Sequence, residues 1–284
     1  MQRNYSREVG RVANRLRNKV AVVTGAASGI GEAIARSMVE EGASVLLADI
    51  ADSKGKAVAG ELGDSAEFVH CDVTSESDIR ALVDRAVDQH GRLDCMVNNA
   101  GVVGASGPID ALSVDDFELA TSVLLRSVFL GTKHAARVMK PQGSGVILAT
   151  TSIAGVQGGW GPHLYAAAKS GVIGLTRNVA AELATWGIRA VAIAPGKIVT
   201  PMTAGRVAGD SNDLAATTEA FKSRTPLRGH IGLPRDVAAA AVWLASDEAG
   251  FVSGTTIMVD GGLTTGSKEN LAPEDLGSWA QPQR

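Results

Sequence analysis

Residues 19–49 have the sequence K-V-A-V-V-T-G-A-A-S-G-I-G-E-A-I-A-R-S-M-V-E-E-G-A-S-V-L-L-A-D. The apolar runs at 19–24 and 43–49 have the length and composition of buried strands. The segment between them is typical of a helix, and Gly42 follows it in the position that glycine favours after a helix C-terminus. A strand, a glycine turn, a helix and a second strand form a βαβ unit, and such units build parallel sheets.

The same alternation continues along the chain. It predicts a single α/β domain over 19–262: a doubly wound parallel sheet of about seven strands, with helices on both faces. Further strands are expected at 67–71, 93–97, 145–151, 188–194 and 255–259, and helices at 53–62, 76–90, 114–139, 165–186 and 234–246. Pro141 is expected to stop the long helix. An irregular stretch with helical pieces, 197–226, is the predicted substrate loop.

Two terminal segments lie outside this domain. Residues 1–18 form a basic N-terminal extension in which apolar residues recur at helical spacing, and we interpret it as an extra helix or a loose tail. A membrane-surface or targeting segment is the alternative for a basic amphipathic helix. Residues 263–284 form a polar C-terminal tail, interpreted as surface or as a segment that closes over a neighbouring site.

Composition narrows the class of protein. Apolar residues make up 45% of the 284, and the net charge is −3 with a pI near 6.0, so the overall balance does not indicate nucleic-acid binding. Cys71 and Cys95 lie in apolar strand-like runs, which predicts reduced core thiols and a cytoplasmic protein. No apolar run is long enough for a membrane span, and no secretory signal is evident. The scattered histidines predict no metal site.

The first strand–helix turn predicts a dinucleotide site. Gly25, Gly29 and Gly31 let the backbone approach a pyrophosphate, whose charge would lie at the helix N-terminus beside Ser28 and Ile30. Asp49 ends the second strand, where a carboxylate accepts hydrogen bonds from ribose hydroxyls and repels a 2′-phosphate. Because the turn contains no Arg or Lys, we predict NAD rather than NADP as the cofactor.

A second constellation lies in T-S-I-A-G-V-Q-G-G-W-G-P-H-L-Y-A-A-A-K, residues 151–169. Tyr165 and Lys169 are four residues apart, which puts them on one face of a helix. Two unit charges about 4 Å apart at an effective dielectric near 20 interact by about 4 kcal/mol. We therefore expect the lysine ammonium to lower the tyrosine pKa toward neutrality, where a general base works best. Ser152 precedes this pair.

Together these motifs resemble the short-chain dehydrogenase/reductase family. The resemblance rests on T-G-A-A-S-G-I-G, C-D-V-T, N-N-A-G, Ser152 thirteen residues before Tyr165, Y-A-A-A-K and the P-G after the sixth strand, and it covers about residues 19–262. The run V-F-L-G-T-K-H-A-A-R-V-M and the extended tail are most similar to the branch of secoisolariciresinol and xanthoxin dehydrogenases.

The resemblance implies a Rossmann-type sheet and hydride transfer at a nicotinamide. Tyr165 would be the general acid/base, Lys169 would lower its pKa and hold the nicotinamide ribose, and Ser152 would hydrogen-bond the substrate oxygen. It also implies further cofactor contacts: Asp72, Val73, Asn99, Ala100, Gly101, Pro195, Gly196, Ile198 and Thr200. By the same resemblance we expect a homotetramer that packs through the long helix and the Tyr165 helix.

The chain departs from the family pattern at two places. Leu124 stands where the family usually has an asparagine that holds a water linking the lysine to solvent, and a leucine cannot hydrogen-bond that water. We therefore expect an active enzyme with an altered or slowed proton relay, in which Ser127 is a candidate substitute. Val191 stands where the family often has another asparagine, and valine suits a buried strand.

The substrate pocket is expected from three segments: 102–108, 153–160 and the stretch from Met202. Their residues are mostly apolar or small, which predicts a small hydrophobic alcohol or ketone of terpenoid, steroid or aromatic type. The residues considered are Val102, Val103, Val156, Gln157, Trp160, His163, Met202, Arg206 and Arg224, the two arginines being expected to face outward. Two alternatives stay open: an NADPH-dependent reductase of acyl-carrier substrates, and a poorly catalytic nucleotide-binding redox sensor.

Overall fold

The computed structural model describes residues 14–222, 224–227 and 229–266. Their strands form one sheet in the order β3-β2-β1-β4-β5-β6-β7, and every pairing is parallel. The strands are β1 (Val20–Thr24), β2 (Ser44–Asp49), β3 (Ala66–His70), β4 (Cys95–Asn98), β5 (Gly145–Thr150), β6 (Ile188–Pro195) and β7 (Thr256–Val259). The predicted fold class is confirmed.

Helices cover both faces of this sheet. They are α1 (Gly29–Glu40), α2 (Asp52–Leu62), α3 (Glu76–His90), α4 (Val114–Thr121), α5 (Ser127–Gln142), α6 (Ile153–Val156), α7 (His163–Leu183), α8 (Pro201–Val207), α9 (Leu214–Lys222) and α10 (Pro234–Ala245). Ile34 and Met38 of α1 pack with Val242 of α10 on one face of the sheet. On the other face, Leu82 of α3 packs with Met139 of α5. Two buried apolar layers therefore enclose the sheet, as a doubly wound fold requires.

The long helix differs from its prediction in two ways. One wide turn of π-helix, Ser122–Arg126, joins α4 to α5, so the helical path is continuous from Val114 to Gln142. Pro141 does not stop it but lies in its last turn. Proline removes only one hydrogen bond there, and Gly143 ends the helix in the left-handed conformation, donating to the carbonyls of Met139 and Lys140.

The predicted N-terminal extension lies mostly outside the described residues, and so does the C-terminal tail from residue 267. Residues 14–18, the described part of this extension, form a turn. Leu16 is buried there, and Arg15 pairs with Glu41 at 2.8 Å. This end of the extension is therefore part of the packed domain. Cys71 and Cys95 are both buried, as predicted, and burial raises the pKa of each thiol to about 12.

The order of the strands in the sheet determines where a ligand site is expected. β1 lies between β2 and β4, so the connection from β3 to β4 crosses from one half of the sheet to the other, and the strand order reverses beside β1. In parallel sheets ligands bind outside the carboxyl ends of the strands at such a switch point. Asp49, Asn98 and Thr150 end three of these strands and lie along the same edge.

Candidate active site

A single cleft follows the carboxyl edge of the sheet, with a volume of about 390 Å³. It brings together nearly all of the residues predicted for catalysis and cofactor binding. Those that line it are Gly25, Ser28, Gly29, Ile30, Asp49, Asp72, Val73, Asn99, Ala100, Gly101, Ser152, Tyr165, Lys169, Pro195, Gly196, Ile198 and Thr200. Gly31 is the exception, because it lies one turn behind the cleft surface.

Gly31 is needed for the shape of the glycine turn. A Cβ at this position would overlap the carbonyl oxygen of Gly25 and approach Asn99 Nδ2 to 2.6 Å. Only glycine lets α1 begin this close to the end of β1. Ser28 precedes α1, and its side chain makes no capping hydrogen bond, so the first backbone N–H groups of the helix stay open toward the cleft. A helix N-terminus of this kind suits a phosphate.

Asp49 lies at one end of the cleft, and two backbone amides orient its carboxylate. Its Oδ2 accepts a hydrogen bond of 3.0 Å from the Ala27 amide, and its Oδ1 accepts one of 3.0 Å from the Ala51 amide. These bonds orient the carboxylate and leave each oxygen a further acceptor position. Ile50 is 66% exposed beside it. The negative charge therefore faces the cleft beside an apolar surface.

Asn99 connects the glycine turn to the middle strands. Its Nδ2 donates to the Thr24 carbonyl at 3.0 Å, and its Oδ1 accepts from Thr150 Oγ1 at 3.1 Å. The hydroxyl of Thr24 in turn accepts from the amides of Asn99 and Ala100. These hydrogen bonds connect the carboxyl ends of β1, β4 and β5, which form the floor of the cleft, and hold them in fixed positions.

Ser152, Tyr165 and Lys169 lie together at the other end of the cleft. Lys169 Nζ is 5.7 Å from the centroid of the Tyr165 ring and donates a hydrogen bond of 2.7 Å to the Thr150 carbonyl. Thr151 Oγ1 donates to the Lys169 carbonyl at 2.7 Å, which joins α7 to the end of β5. The Ser152 side chain accepts from the Ala154 amide and hydrogen-bonds the Tyr165 phenol.

The direction in which the Tyr165 pKa is shifted differs from the expectation. Burial raises the pKa of the Tyr165 phenol, while the hydrogen bond to Ser152 and the positive charge of Arg206 act in the opposite direction. Burial also lowers the pKa of Lys169 to about 8. Burial therefore opposes the expected lowering of the tyrosine pKa in this structure, and the role of Lys169 in lowering it stays a prediction.

Leu124 lies in the π-helical turn directly behind Lys169. It is fully buried, and it packs with Ala120, Ala168 and the Tyr165 ring. A Cβ built on Gly101 would lie 3.2 Å from Leu124 Cδ2 and 3.8 Å from Lys169 Nζ, so the leucine and the ammonium are close neighbours. Ser127, the candidate substitute, donates its hydroxyl hydrogen bond to the Val123 carbonyl at 2.6 Å. The apolar side chain of Leu124 therefore lies next to the Lys169 ammonium on the side that faces the protein interior.

Sequence reasoning missed several cleft residues: Ile50, Cys71, Thr74, Val123, Thr150, Thr151, Pro201 and Thr203. Most of them are next to a predicted residue in the sequence, so the positions of the strand ends could have identified them as well. Val123 carried no such signal, because the widened turn alone directs it into the cleft. Of the predicted substrate residues, Val102 and Met202 line the cleft, whereas Val103, Val156, Gln157, Trp160 and His163 do not. Arg206 and Arg224 are exposed, as expected, but the charge of Arg206 reaches Tyr165.

Neither a metal-binding cluster nor a membrane-spanning helix is found among the described residues. Within 14–222, 224–227 and 229–266, no group of three or more His, Cys, Asp or Glu side chains is arranged to hold a metal ion. No helix in the same ranges is both long enough and apolar enough to cross a membrane.

Comparison with known proteins gives matches over nearly the whole domain. A protein-family profile described as enoyl-(acyl carrier protein) reductase matches residues 25–264. Momilactone A synthase of Oryza sativa subsp. japonica is 43% identical over 265 residues, which are 91% of this chain and 94% of that protein. Mitochondrial borneol dehydrogenase of Lavandula x intermedia is 44% identical over 254 residues, 89% of this chain and 93% of that protein.

A solved structure matches equally broadly. The crystal structure of levodione reductase superposes with a TM-score of 0.82 at 34% identity, covering 89% of this chain and all of that one. The cleft and its side chains therefore lie within the region that these proteins share.

Proposed function

The chain belongs to the short-chain dehydrogenase/reductase family, and on that premise we propose that it is an NAD-dependent oxidoreductase interconverting a hydrophobic secondary alcohol and its ketone. One observation carries the proposal. The same cleft has a carboxylate, Asp49, at one end and the group Ser152, Tyr165 and Lys169 at the other, with an open helix N-terminus between them.

The residues of the cleft fit a nicotinamide dinucleotide. Asp49 would hold the adenosine ribose, and the N-terminus of α1 would hold the pyrophosphate. A Cβ built on Gly29 would lie 3.5 Å from Thr200 Cβ, so glycine keeps the gap between α1 and α8 free for phosphate oxygens. Lys169 would hold the second ribose, and Pro195 to Thr200 would lie along the carboxamide. When bound, the dinucleotide accepts or donates the hydride, and its oxidised form adds a positive charge.

Tyr165 would move the proton at the substrate oxygen. In alcohol oxidation the phenolate accepts the hydroxyl proton, and in ketone reduction the phenol donates it. Ser152 would donate a hydrogen bond to the same oxygen and stabilise the charge that develops there. Since burial raises the pKa of Tyr165, the phenolate depends on nearby positive charge, which Lys169 and Arg206 supply.

The preference for NAD rests on Asp49. Its carboxylate would face the adenosine ribose and would repel a 2′-phosphate there. Beside it stands the apolar Ile50, and among the described residues that line the cleft the one cation is Lys169, at the other end.

Apolar side chains support a hydrophobic substrate. Val102, Val123 and Met202 line the cleft near Tyr165, and the names of the two relatives, borneol dehydrogenase and momilactone A synthase, indicate terpenoid chemistry in those proteins. A bulky apolar alcohol would bury its skeleton against this wall. The branch of secoisolariciresinol and xanthoxin dehydrogenases remains part of this proposal.

A second candidate is favoured by one finding, the description of the matching family profile as an acyl-carrier reductase. Such an enzyme would act on a thioester-bound chain and would use NADPH. Asp49 opposes NADPH, so we rank this function second.

We also propose that the protein is a homotetramer formed through the long helix and α7. In support, Val114 and Phe117 of α4 and Phe129 of α5 are exposed apolar side chains on that helix. Light scattering of the purified protein measures the assembly directly.

A turnover assay tests the proposed function. Purified protein receives NAD or NADP with a panel of secondary alcohols such as borneol, or NADPH with an acetoacetyl thioester, and the absorbance of the reduced nicotinamide is followed. We expect NAD reduction with little NADP reduction, abolished in Tyr165→Phe. Preferential turnover of the thioester with NADPH would support the second candidate, and dinucleotide binding without any turnover would support a redox sensor.

A further inference from the structure

Ser127 makes two hydrogen bonds at the end of the π-helical turn that joins α4 to α5. Its backbone N–H donates to the carbonyl of Ser122, five residues earlier. In an α-helix the same N–H would donate to the carbonyl of Val123, four residues earlier. That carbonyl instead accepts the Ser127 hydroxyl at 2.6 Å. The backbone of Ser127 therefore takes part in the wide turn, and its side chain binds the carbonyl that the wide turn releases.

The hydroxyl bond contributes to stability because this turn is shielded from water. Ser127 is 6% exposed, and removing its hydroxyl would take from the Val123 carbonyl a donor that the Ser127 N–H no longer replaces. Thr176 offers a comparison, since its hydroxyl donates to the Val172 carbonyl at 2.8 Å. That bond lies within the regular helix α7, which also supplies the carbonyl with a backbone donor. The wide turn therefore depends on its hydroxyl bond more than α7 does.

Val123 and Leu124, two consecutive residues of the turn, both face the active site. Val123 lines the cleft, and Leu124 packs with the Tyr165 ring beside the Lys169 ammonium. A π-helical turn contains more residues than an α-helical turn, so consecutive side chains diverge by a smaller angle. The width of the turn therefore lets both side chains reach the site.

The next two residues attach the turn to its neighbours. Leu125 packs on α7, where a Cβ built on Gly171 would lie 3.0 Å from Leu125 Cδ2. Arg126 donates a hydrogen bond of 3.3 Å to the carbonyl of Thr74, a cleft residue that follows β3. Packing against these neighbours selects the wide turn, and the Ser127 hydroxyl stabilises it.

We propose that Ser127 is a positioning residue of the active site: its hydroxyl stabilises the wide turn, which holds Leu124 against the catalytic tyrosine and lysine. Ser127 does not line the cleft, so it acts through the turn and not by contact with the substrate. The inference rests on the proposed function, because it names a residue that shapes the same catalytic group.

Loss of the hydroxyl should hydrate the catalytic group. Without this donor the Val123 carbonyl binds water or returns to α-helical bonding, and either change moves Leu124 away from Lys169. Burial raises the pKa of the Tyr165 phenol and lowers the pKa of Lys169. Hydration therefore acts in the opposite direction on both groups, and a more fully charged lysine lowers the phenol pKa further. Each of these changes makes Tyr165 ionise at lower pH.

The ionisation of Tyr165 tests the proposal without turnover. Tyr5 and Tyr165 are the two tyrosines of the chain, so Tyr5→Phe leaves one phenol, whose ionisation is followed by its near-ultraviolet absorbance. In this background Ser127→Ala should raise the acid ionisation constant of the phenol about threefold or more. Ser127→Thr, which keeps the hydroxyl, should leave that constant unchanged.

Turnover of a secondary alcohol with NAD provides a second readout. Ser127→Ala should lower kcat about tenfold, because displaced groups no longer orient the substrate oxygen, and the acid limb of its pH profile should move to lower pH. Ser127→Thr should keep kcat within about twofold of the unmodified protein. The matched control is Thr176→Val, which removes the corresponding hydroxyl bond from α7 and should change neither kcat nor the ionisation of Tyr165.

An unchanged Tyr165 ionisation in folded Ser127→Ala would overturn the assignment, as would an equal shift in Thr176→Val. If Ser127→Ala does not fold, Ser127→Cys is titrated instead, since a thiol is a weak donor. A smaller change in the same direction is then expected, and no change contradicts the proposal. A protein that shows the expected Tyr165 ionisation but turns over no alcohol would retain this assignment while contradicting the proposed function.

Discussion

Lys169 Nζ donates a hydrogen bond of 2.7 Å to the carbonyl oxygen of Thr150, the last residue of β5. The ammonium is thus fixed by the sheet, and Lys169 is only 3% exposed. Burial lowers its pKa to about 8. A cation in this place favours the tyrosine phenolate but costs folding free energy, because it has left water for a largely apolar surrounding.

Replacing Lys169 should therefore separate stability from activity. We expect Lys169→Met to raise the free energy of unfolding by about 1–3 kcal/mol at pH 7, because it removes a desolvated charge. The same variant should lose at least about 100-fold in kcat/KM, since Tyr165 loses its cation. Denaturant unfolding without dinucleotide and the turnover assay measure the two effects.

The pH dependence of the stability gain expected for Lys169→Met follows from the pKa of Lys169. The folded-state pKa of Lys169, about 8, is lower than the ordinary lysine value of about 10.4. Between these values the unfolded chain binds more protons, so rising pH stabilises the unmodified protein. The advantage of Lys169→Met should be largest below pH 8 and shrink toward about pH 10.4. Lys169→Arg is the control that retains charge; a gain independent of pH would contradict the account.

Cofactor preference should depend on Asp49 and its neighbour. We expect Asp49→Ala with Ile50→Arg to move the ratio of kcat/KM for NAD over NADP toward NADP by about 100-fold or more, because the repelling carboxylate is replaced by a cation for the 2′-phosphate. Ile50 is 66% exposed, so an arginine fits there. Both dinucleotides are assayed with one alcohol.

The single variants separate the effect of removing the Asp49 carboxylate from the effect of adding an arginine at position 50. Asp49→Ala alone should weaken NAD use and lower stability slightly, since the Ala27 and Ala51 amides lose an acceptor. If the unmodified protein already uses NAD and NADP equally well, the assignment of Asp49 is wrong.

Leu124 should affect proton exchange rather than the hydride step. We expect Leu124→Asn to leave turnover equal or higher, because an amide beside Lys169 can hold a water that links the ammonium to solvent. Stability should fall by about 1–4 kcal/mol, since the leucine is fully buried. The solvent isotope effect on kcat reports the proton step.

The matched control is Leu124→Met, which keeps the site apolar at similar volume. It should leave the isotope effect unchanged and cost less than about 1.5 kcal/mol. A large loss of activity in Leu124→Asn despite a folded protein would show that Leu124 shapes the pocket instead.

Glycines in two helices should respond to alanine with opposite signs. A Cβ on Gly131 of α5 would overlap Asn98 Oδ1 and lie 2.8 Å from Met96 Cε. Gly131→Ala should therefore destabilise by about 1–3 kcal/mol, because the helix must move off the sheet. Gly60 of α2 has open space around its Cβ position, so Gly60→Ala should stabilise by about 0.5–1 kcal/mol. Thermal unfolding of both variants checks the pair, and the same sign in both would contradict the packing argument.

Most of the fold was predictable because its signals are local. Each apolar run of strand length was bounded by glycine or polar residues, and the βαβ order left a parallel sheet as the architecture. The long helix was less predictable. Nothing in the residues 122–126 specifies a π-helical turn, because the extra residue is accommodated by packing against α7 rather than by local propensity.

The sequence by itself determined which groups meet at the cleft: Asp49 ends β2, Ser152 follows β5, and Tyr165 and Lys169 lie in the first two turns of α7, so the topology brings them to one edge. Only the tertiary structure decided their charge states and their neighbours. Burial of Lys169 and Tyr165, Leu124 behind the ammonium, and Arg206 near the phenol depend on contacts between distant segments. Spacing along a chain specifies proximity, whereas desolvation is a property of the packed interior.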